Sequence, residues 1–296
     1  MKVLNIGSLN YDYVYTVDHI VQGGETISST GMEVFCGGKG LNQSIALAKA
    51  GVPVYHAGLI GEEGNQFLKV CRENGVDTTY IKQISGKSGH TIIQVDEQAQ
   101  NCIILFGGTN QGFTKSYIDE IIADFGSEDI LLLQNEVNEL EYMISKAYEI
   151  GMTIILNPSP YNEKIRTCDL TKVSVFMINE IEGEQITGEN DPLKMLDMMK
   201  RKYPKSKVIL TLGSKGVLYQ DENKLWKQNA YPVKAVDTTA AGDTFTGYFI
   251  AGMIEHIPIE KVLQICARAS AIAVSRKGAT DSIPDRKEVE ERMIQG

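Results

Sequence analysis

Short apolar runs recur along the chain and alternate with segments of helical periodicity. The runs are rich in leucine and β-branched residues without polar alternation, which is typical of strands buried on both faces of a parallel sheet. They are KVLNIGS near the start, VPVYHAGLIG after Gly51, and residues 129–134, 152–157, 173–179 and 207–213. This pattern predicts a three-layer α/β/α sandwich around an open, mostly parallel sheet.

The intervening segments carry apolar residues at spacings of three and four, which is the pattern of helices that bury one face. Examples are GKGLNQSIALAKAG, which ends at Gly51 ahead of Pro53, and the later segments NELEYMISKAYEIG and PLKMLDMMKRKY. Because no linker, low-complexity tract or fixed-period repeat divides the chain, we expect a single α/β domain over residues 1–296.

Two stretches, 11–35 and 88–108, depart from this alternation of apolar strands and amphipathic helices. Both alternate apolar and polar residues around turn-forming residues, which indicates antiparallel strands. Since each stretch lies between elements of the main sheet, we expect them to form a small antiparallel β-lid over its carboxyl edge, where open α/β sheets bind ligands. The same pattern is also that of two hairpins with no role in binding.

Composition and charge exclude several classes of partner. The 29 Lys and Arg residues against 38 Asp and Glu residues give a net charge of −9, and no basic stripe follows a strand or helix. We therefore expect no nucleic acid and no membrane as a partner. No run approaches the ~20 apolar residues that cross a bilayer.

The cysteines and histidines indicate no metal or disulfide framework. The five cysteines are isolated, without a CxxC pair, and the four histidines are scattered. The N-terminal MKVLNIGSLNYDYVY lacks the continuous apolar region of a signal peptide. These features predict a cytoplasmic protein whose thiols mostly pack in the core.

Neither common phosphate-binding fingerprint is present. Ile81 stands where a GxxxxGK[ST] motif ending at Ser88 needs its first glycine, and Gln43 stands where GGKGLNQ needs the last glycine of GxGxxG. Any phosphate-binding site in this chain would therefore need a different construction.

The stretch DTTAAGDTF offers such a site at a predicted helix start. The small residues 240–242 let backbone N–H groups approach a ligand, and the helix N-terminus adds partial positive charge. Together they predict an anion hole for a phosphoryl group, with Asp243 placed to accept a proton from a substrate hydroxyl. The alternative is that Asp237, Thr238 and Asp243 only cap a helix.

In order along the chain, GSLNYDYVY, GGKGLNQSIALAKAG, NPSP, NEIE, TLGSKG, DTTAAGDTF and RKGATDSIP resemble the signature set of the ribokinase family, also called the phosphofructokinase B family. These motifs cover nearly the whole chain. The resemblance implies a ribokinase-like fold and an ATP-dependent carbohydrate kinase. It also implies a requirement for Mg²⁺, activation by K⁺, and a homodimer formed through the lid.

The resemblance assigns a catalytic centre and a sugar site. Asp243 matches the family's base, and the backbone of Ala240, Ala241, Gly242 and Asp243 matches its anion hole for the γ-phosphate. The positions that match sugar-binding residues are Asn10, Asp12, Gly38, Lys39, Asn42, Glu136 and Asp243. Amides, carboxylates and an ammonium group suit hydroxyls held in fixed directions.

The resemblance also assigns nucleotide and metal sites. The nucleotide positions are Asn179, Thr211, Gly213, Ser214, Gly216, Ala241 and Gly242. Asn179 and Glu182 match a motif that helps to organise Mg²⁺, through water as this hard cation prefers. The loops matched to a monovalent cation contain Asp237, Thr239, Ala279 and Ser282. From the residues alone, NEIEGEQ is equally an acidic helix start, and Gly213 and Gly216 equally mark a hairpin turn.

The implied reaction is transfer of the γ-phosphate of ATP to the 5-hydroxyl of D-ribose. Alternatives within the family are a nucleoside (adenosine, uridine or pseudouridine) or another sugar (fructose or ketodeoxygluconate). Gly23 replaces the family's usual proline, and His90 stands in a lid strand where an apolar residue is common, so its imidazole either reaches the substrate or faces solvent. A non-catalytic sugar sensor is a further alternative, although such a sensor would be free to lose Asp243 or Gly242.

Overall fold

The apolar runs form the strands of one large sheet. A computed structural model describes residues 1–98 and 100–294. The strands are β1 (Val3–Ile6), β2 (Asn10–Thr16), β3 (Gly31–Gly37), β4 (Val54–Ile60), β5 (Asp77–Gln83), β6 (Gly89–Val95), β7 (Asn101–Phe106), β8 (Ile130–Gln134), β9 (Thr153–Asn157), β10 (Val175–Asn179), β11 (Lys207–Thr211), β12 (Val217–Gln220) and β13 (Leu225–Gln228). In the large sheet their order is β13-β12-β11-β10-β9-β8-β1-β4-β5. Pairing is parallel from β11 to β5, with β12 and β13 as an antiparallel edge.

Helices cover both faces of this sheet. They are α1 (Lys39–Lys49), α2 (Asn65–Glu73), α3 (Lys115–Ile122), α4 (Leu140–Glu149), α5 (Glu163–Arg166), α6 (Glu180–Thr187), α7 (Pro192–Lys202), α8 (Ala241–Ile254), α9 (Ile259–Val274) and α10 (Arg286–Ile294). Val3 and Ile155 pack with α1, α8 and α9, whereas their chain neighbours Leu4 and Ile154 pack with α3, α4 and α7. Successive strand residues thus enter opposite cores, which explains the unbroken apolar runs and confirms the predicted three-layer sandwich.

None of the helices among the described residues has the length and apolarity that crossing a bilayer requires.

The two alternating stretches supply a second, four-stranded sheet in the order β3-β2-β6-β7, which we call the lid. The pairs β2–β3 and β6–β7 are antiparallel hairpins, as their alternation predicts, but the central pair β2–β6 is parallel. The parallel pairing follows from the path of the chain, because β2 follows β1 and β6 follows β5, so both strands leave the large sheet in the same direction.

Helices α1 and α8 lie unusually close together. A Cβ atom on Gly247 of α8 would come within 2.5 Å of the Ala46 Cβ and 2.6 Å of the Ala46 carbonyl carbon. Nearly all of α8 is buried, since it packs between the sheet, α1 and α9, and this explains why its sequence is apolar on every side. The small side chains of the helix therefore serve packing along its length as well as ligand access at its start.

We expect Gly247→Ala to lower the free energy of unfolding by about 1–3 kcal/mol, because the added methyl group forces α1 and α8 apart. Urea unfolding followed by circular dichroism measures this loss. Gly126→Ala is the matched control, since a Cβ there meets nothing within 4 Å. Equal stability of the two variants would contradict the close contact.

Candidate active site

Two adjoining cavities lie at the carboxyl edge of the sheet. The larger, of about 1110 Å³, is enclosed by the lid and the strand ends, and the smaller, of about 620 Å³, lies between the turn after β11 and helices α8 and α9. Asn179, Thr211 and Gly242 line both. Of the residues predicted from sequence, those lining the larger are Asn10, Asp12, Gly38, Lys39, Asn42, Glu136, Asn179, Glu182, Thr211, Asp237, Thr239, Ala240, Gly242, Asp243 and Ala279. Those lining the smaller are Asn179, Thr211, Gly213, Ser214, Gly216, Ala241 and Gly242.

Helix α8 begins where the two cavities meet. Ala240 has φ 58° and ψ 7°, a left-handed conformation that turns the chain into the helix without a side-chain cap. Among the described residues, no acceptor binds the backbone N–H groups of Gly242 and Asp243. Two free donors at a helix N-terminus favour an anion at this point.

Asp243 is only 7% exposed, and its carboxylate accepts hydrogen bonds at both oxygens. Asn42 Nδ2 donates to Oδ2 at 3.0 Å, and Gln43 Nε2 donates to Oδ1 at 2.9 Å. Asn42 Oδ1 is buried and has no partner among the described residues. Because Asn42 lines the larger cavity, a ligand hydroxyl there would supply the missing donor.

On the lid side, two polar residues of β2 face the larger cavity. Asn10 Oδ1 accepts from Asn110 Nδ2 at 2.7 Å, and Asp12 Oδ1 accepts from Thr91 Oγ1 at 2.6 Å. Burial raises the pKa of Asp12 to about 6, although the Thr91 hydrogen bond opposes this rise. Sequence reasoning missed Asn110 and Thr91, since neither falls in a recognised motif.

Lys39 lies among three carboxylates. Burial alone would lower the pKa of Lys39, but Asp243, Glu136 and Glu182 raise it on balance, so the ammonium group stays charged. Burial raises the pKa of Glu136 despite Lys39 and a hydrogen bond from Ser8. Among the described residues that line this cavity, Lys39 thus offsets part of the negative charge of these carboxylates, and Lys277 is a second cation there.

Asn179 and Glu182 form a capping box at the start of α6. Asn179 Oδ1 accepts from the backbone N–H groups of Ile181 and Glu182 at 2.8 and 2.9 Å, and Glu182 Oε2 accepts from the backbone N–H of Asn179 at 2.8 Å. The motif therefore has a structural role, while both residues also line the larger cavity. Among the described residues, no group donates to the other carboxylate oxygen of Glu182.

Asp237 joins the two loops that the sequence matched to a monovalent cation. Its carboxylate accepts from the backbone N–H of Thr239 at 2.9 Å and of Gly278 at 3.0 Å. Partial burial opposes ionisation, but these hydrogen bonds lower the pKa of Asp237 on balance. Ser282 lines neither cavity, and its hydroxyl donates to the Ala279 carbonyl at 2.8 Å from behind the loop.

The smaller cavity has apolar walls and a glycine turn at its mouth. Gly213 and Gly216 have φ 53° and 99°, and a Cβ on Gly216 would come within 2.0 Å of the Gln228 carbonyl oxygen. Both glycines therefore make the turn between β11 and β12 and also line the cavity. Phe245 and Val274 contribute to the apolar walls, which suit a flat aromatic group such as a nucleobase.

His90 does not line either cavity. Its neighbour Thr91 faces the larger one, so the alternation of β6 places His90 on the outer face of the lid. There its ring lies 5.9 Å from that of Tyr13 and 4.9 Å from that of Phe106. Of the two alternatives for this imidazole, the one without substrate contact fits the structure.

A model of the pfkB family of carbohydrate kinases matches residues 1–286. The chain belongs to this family. Carbohydrate kinases transfer a phosphoryl group to a sugar hydroxyl, so the chain is a phosphotransferase with an alcohol acceptor.

Individual relatives match over almost their whole length. A ribokinase of Haemophilus influenzae is 32% identical over 294 residues, covering 96% of this chain and 95% of that one. The structure of a Thermotoga maritima ribokinase matches with a TM-score of 0.85 at 31% identity over 99% of both chains. That of an Arabidopsis thaliana ribokinase complexed with ribose and ATP matches with a TM-score of 0.85 at 28% identity, over 98% of this chain and 97% of that one.

We expect Asp12→Asn to stabilise the protein without ligand. Because the pKa of Asp12 rises from 3.8 to about 6 on folding, the folded state binds this proton more tightly, and stability falls as pH rises through that window. Asparagine keeps an acceptor for Thr91 but carries no charge. Urea unfolding at pH 7.5 should show a gain of about 1–3 kcal/mol, with a smaller gain at pH 4.5.

The exposed variant Asp18→Asn is the control for that measurement and should leave stability unchanged at both values of pH. A loss of stability in Asp12→Asn at pH 7.5 would show that the buried charge is compensated in the folded state.

Proposed function

We propose that the chain is an ATP-dependent ribokinase that phosphorylates the 5-hydroxyl of D-ribose. The observation that carries the proposal is the position of Asp243, a buried carboxylate beside free helix N–H groups, where the two cavities adjoin. The larger cavity suits a sugar, because amide and carboxylate groups converge there. The smaller suits the nucleotide. The ribokinase relatives, one of them complexed with ribose and ATP, support this substrate pair.

In the proposed mechanism Asp243 accepts the proton of the sugar hydroxyl as its oxygen attacks the γ-phosphorus. The new bond joins the sugar oxygen to phosphorus, the bond from phosphorus to the β,γ-bridging oxygen breaks, and ADP leaves with that electron pair. The N–H groups of Gly242 and Asp243 donate to the transferred group, on which negative charge is concentrated. Asn10, Asp12, Lys39 and Asn42 orient the sugar.

The residues present fit the two cations that we propose. Glu182 has one carboxylate oxygen outside the capping box, and Mg²⁺ commonly takes one or two protein carboxylates with water and phosphate oxygens. Mg²⁺ would neutralise phosphate charge when bound near Asn179 and Glu182. The ionised Asp237, with the loop residues Thr239 and Ala279, suits K⁺, for which Ser282 would only support the loop.

We also propose that two copies of the chain pair through the lid. The outer lid face leaves apolar side chains strongly exposed, with Met32 at 49%, Val34 at 48%, Ile104 at 60% and Phe106 at 52%. Exposed apolar side chains on both edge strands of one sheet face are typical of an interface. The lid of a second copy of the chain can pack on this face because it presents the same apolar side chains.

The test of the proposed function is a coupled assay of ADP release with Mg·ATP and K⁺. Ribose should be phosphorylated faster than deoxyribose, fructose, ketodeoxygluconate, adenosine, uridine or pseudouridine.

Asp243→Asn should lose at least ~1000-fold in kcat, since it lacks a proton acceptor, while calorimetry shows ribose binding retained. Replacing K⁺ with tetramethylammonium should lower the rate. A preference for another acceptor would reject ribose, and an active Asp243→Asn would reject the base.

Sedimentation velocity tests the lid dimer. The wild type should sediment at twice the chain mass, whereas Ile104→Lys should sediment as a monomer, because it places a charge in the apolar interface. Leu225→Lys is the matched control, since Leu225 is 52% exposed on the edge strand β13. A monomeric wild type, or dissociation by both variants, would contradict this interface.

A further inference from the structure

A chain of buried side-chain amides leads from the backbone of α1 to Asp243. Asn5 Nδ2 donates to the Gly40 carbonyl and to Ser44 Oγ, both at 2.8 Å. A backbone carbonyl can only accept, so this contact fixes the orientation of the Asn5 amide. The Asn5 Oδ1 atom is thereby directed to Gln134.

The orientation of the Asn5 amide in turn fixes the donors and acceptors of Gln134 and Gln43. Gln134 Nε2 donates to Asn5 Oδ1 at 3.0 Å and to Gln43 Oε1 at 2.7 Å. Gln43 must then present its Nε2 to Asp243, where it donates to Oδ1 at 2.9 Å. A flipped Gln43 would place its own oxygen against the carboxylate.

A second contact fixes Gln43 from the side of the sheet. Asn157 Nδ2 donates to the Met177 carbonyl at 2.8 Å, which leaves Asn157 Oδ1 to accept from Gln43 Nε2 at 3.3 Å. Both amide hydrogens of Gln43 therefore have acceptors. Gln43 is fully buried and lines neither cavity, whereas its neighbour Asn42 lines the larger one. Gln43 thus acts on Asp243 without facing the space for the sugar.

We propose that Gln43 is a positioning residue for the phosphoryl transfer: it fixes the rotation of the Asp243 carboxylate and stabilises its ionised form from behind. The proposal rests on the proposed function, in which Asp243 accepts the hydroxyl proton. A donor held by a preorganised buried network needs no rearrangement as the reaction proceeds. Loss of Gln43 therefore affects turnover more than sugar binding.

The test compares Gln43→Met with the wild type, because methionine has a similar length and no donor. With the acceptor that the wild type phosphorylates fastest, kcat should fall about 10- to 100-fold, which is the effect of losing a hydrogen bond to a charged group. The KM for that acceptor should change less than ~2-fold, since Gln43 does not line the cavity.

The pH profile of kcat supplies a readout that general loosening of the fold does not move. The acidic limb should shift upward by about one pH unit, because a carboxylate that loses a donor holds its proton more tightly. The other charged groups near Asp243 are Lys39 of α1 and Glu136 after β8, with Glu182 of α6 beside Lys39. None of them changes in Gln43→Met.

Two further variants complete the design. Gln134→Met leaves the Gln43–Asp243 contact but removes the donor to Gln43 Oε1. The acidic limb of its kcat pH profile should therefore shift in the same direction by a smaller amount. Asn138→Leu is the control, since it removes an amide paired with Phe113 at 2.9 and 2.8 Å, away from both cavities. It should leave kcat and the pH profile unchanged. If Gln43→Met fails to fold, Gln134→Met carries the test.

A wild-type kcat and pH profile in Gln43→Met would overturn the positioning role. A rise in KM with unchanged kcat would do the same, because it would place Gln43 in the sugar site. If the wild type phosphorylates none of the acceptors, the proposed function fails before any variant is compared.

Discussion

The close approach of α1 and α8 is the contact on which the rest of the site depends. Gly247 allows the two helices to meet, and this brings the amides of Asn42 and Gln43 to the carboxylate of Asp243. A buried charge without donors is strongly destabilised. The packing of the two helices and the hydrogen bonding of the Asp243 carboxylate therefore depend on each other. Gly247 of α8 permits the contact, and the amides of α1 supply the hydrogen bonds.

Sequence pattern predicts the layers well because burial leaves a direct trace. Strands covered on both faces need apolar residues at every position, as Leu131 and Leu132 of β8 show by entering opposite cores. The lid is predicted less completely. Alternation in β2 and β6 fixes which side chains share a face, but it contains no information about which strands are neighbours, so their parallel pairing depends on the path of the chain.

The candidate site shows the same division. Thr91 lines the larger cavity but falls in no recognised motif. Many of the other polar residues there belong to short motifs whose side chains suit sugar or phosphate, so their gathering was predictable. The residues behind them were not. Asn110 lies 100 positions from its partner Asn10, and Gln43 lies 200 positions from Asp243. Such pairs exist only after folding. Asn179 and Glu182 show that one motif can serve both a helix cap and a cavity wall.

The chain enters and leaves the lid along one row of residues, at one end of the lid strands. Asn10, the first residue of β2, pairs with Gly37 at the end of β3 and with Gly89 at the start of β6. The chain leaves β7 after Phe106, which pairs with His90 beside Gly89. Rotation about this row would carry Asp12 with the lid while Asp243 stays with the body. The acceptor site would then be complete only when the lid is closed. An acceptor that binds the closed form more tightly would shift the equilibrium toward closure. Closure over a bound acceptor would also exclude water from the space beside Asp243, where water could otherwise take the phosphoryl group.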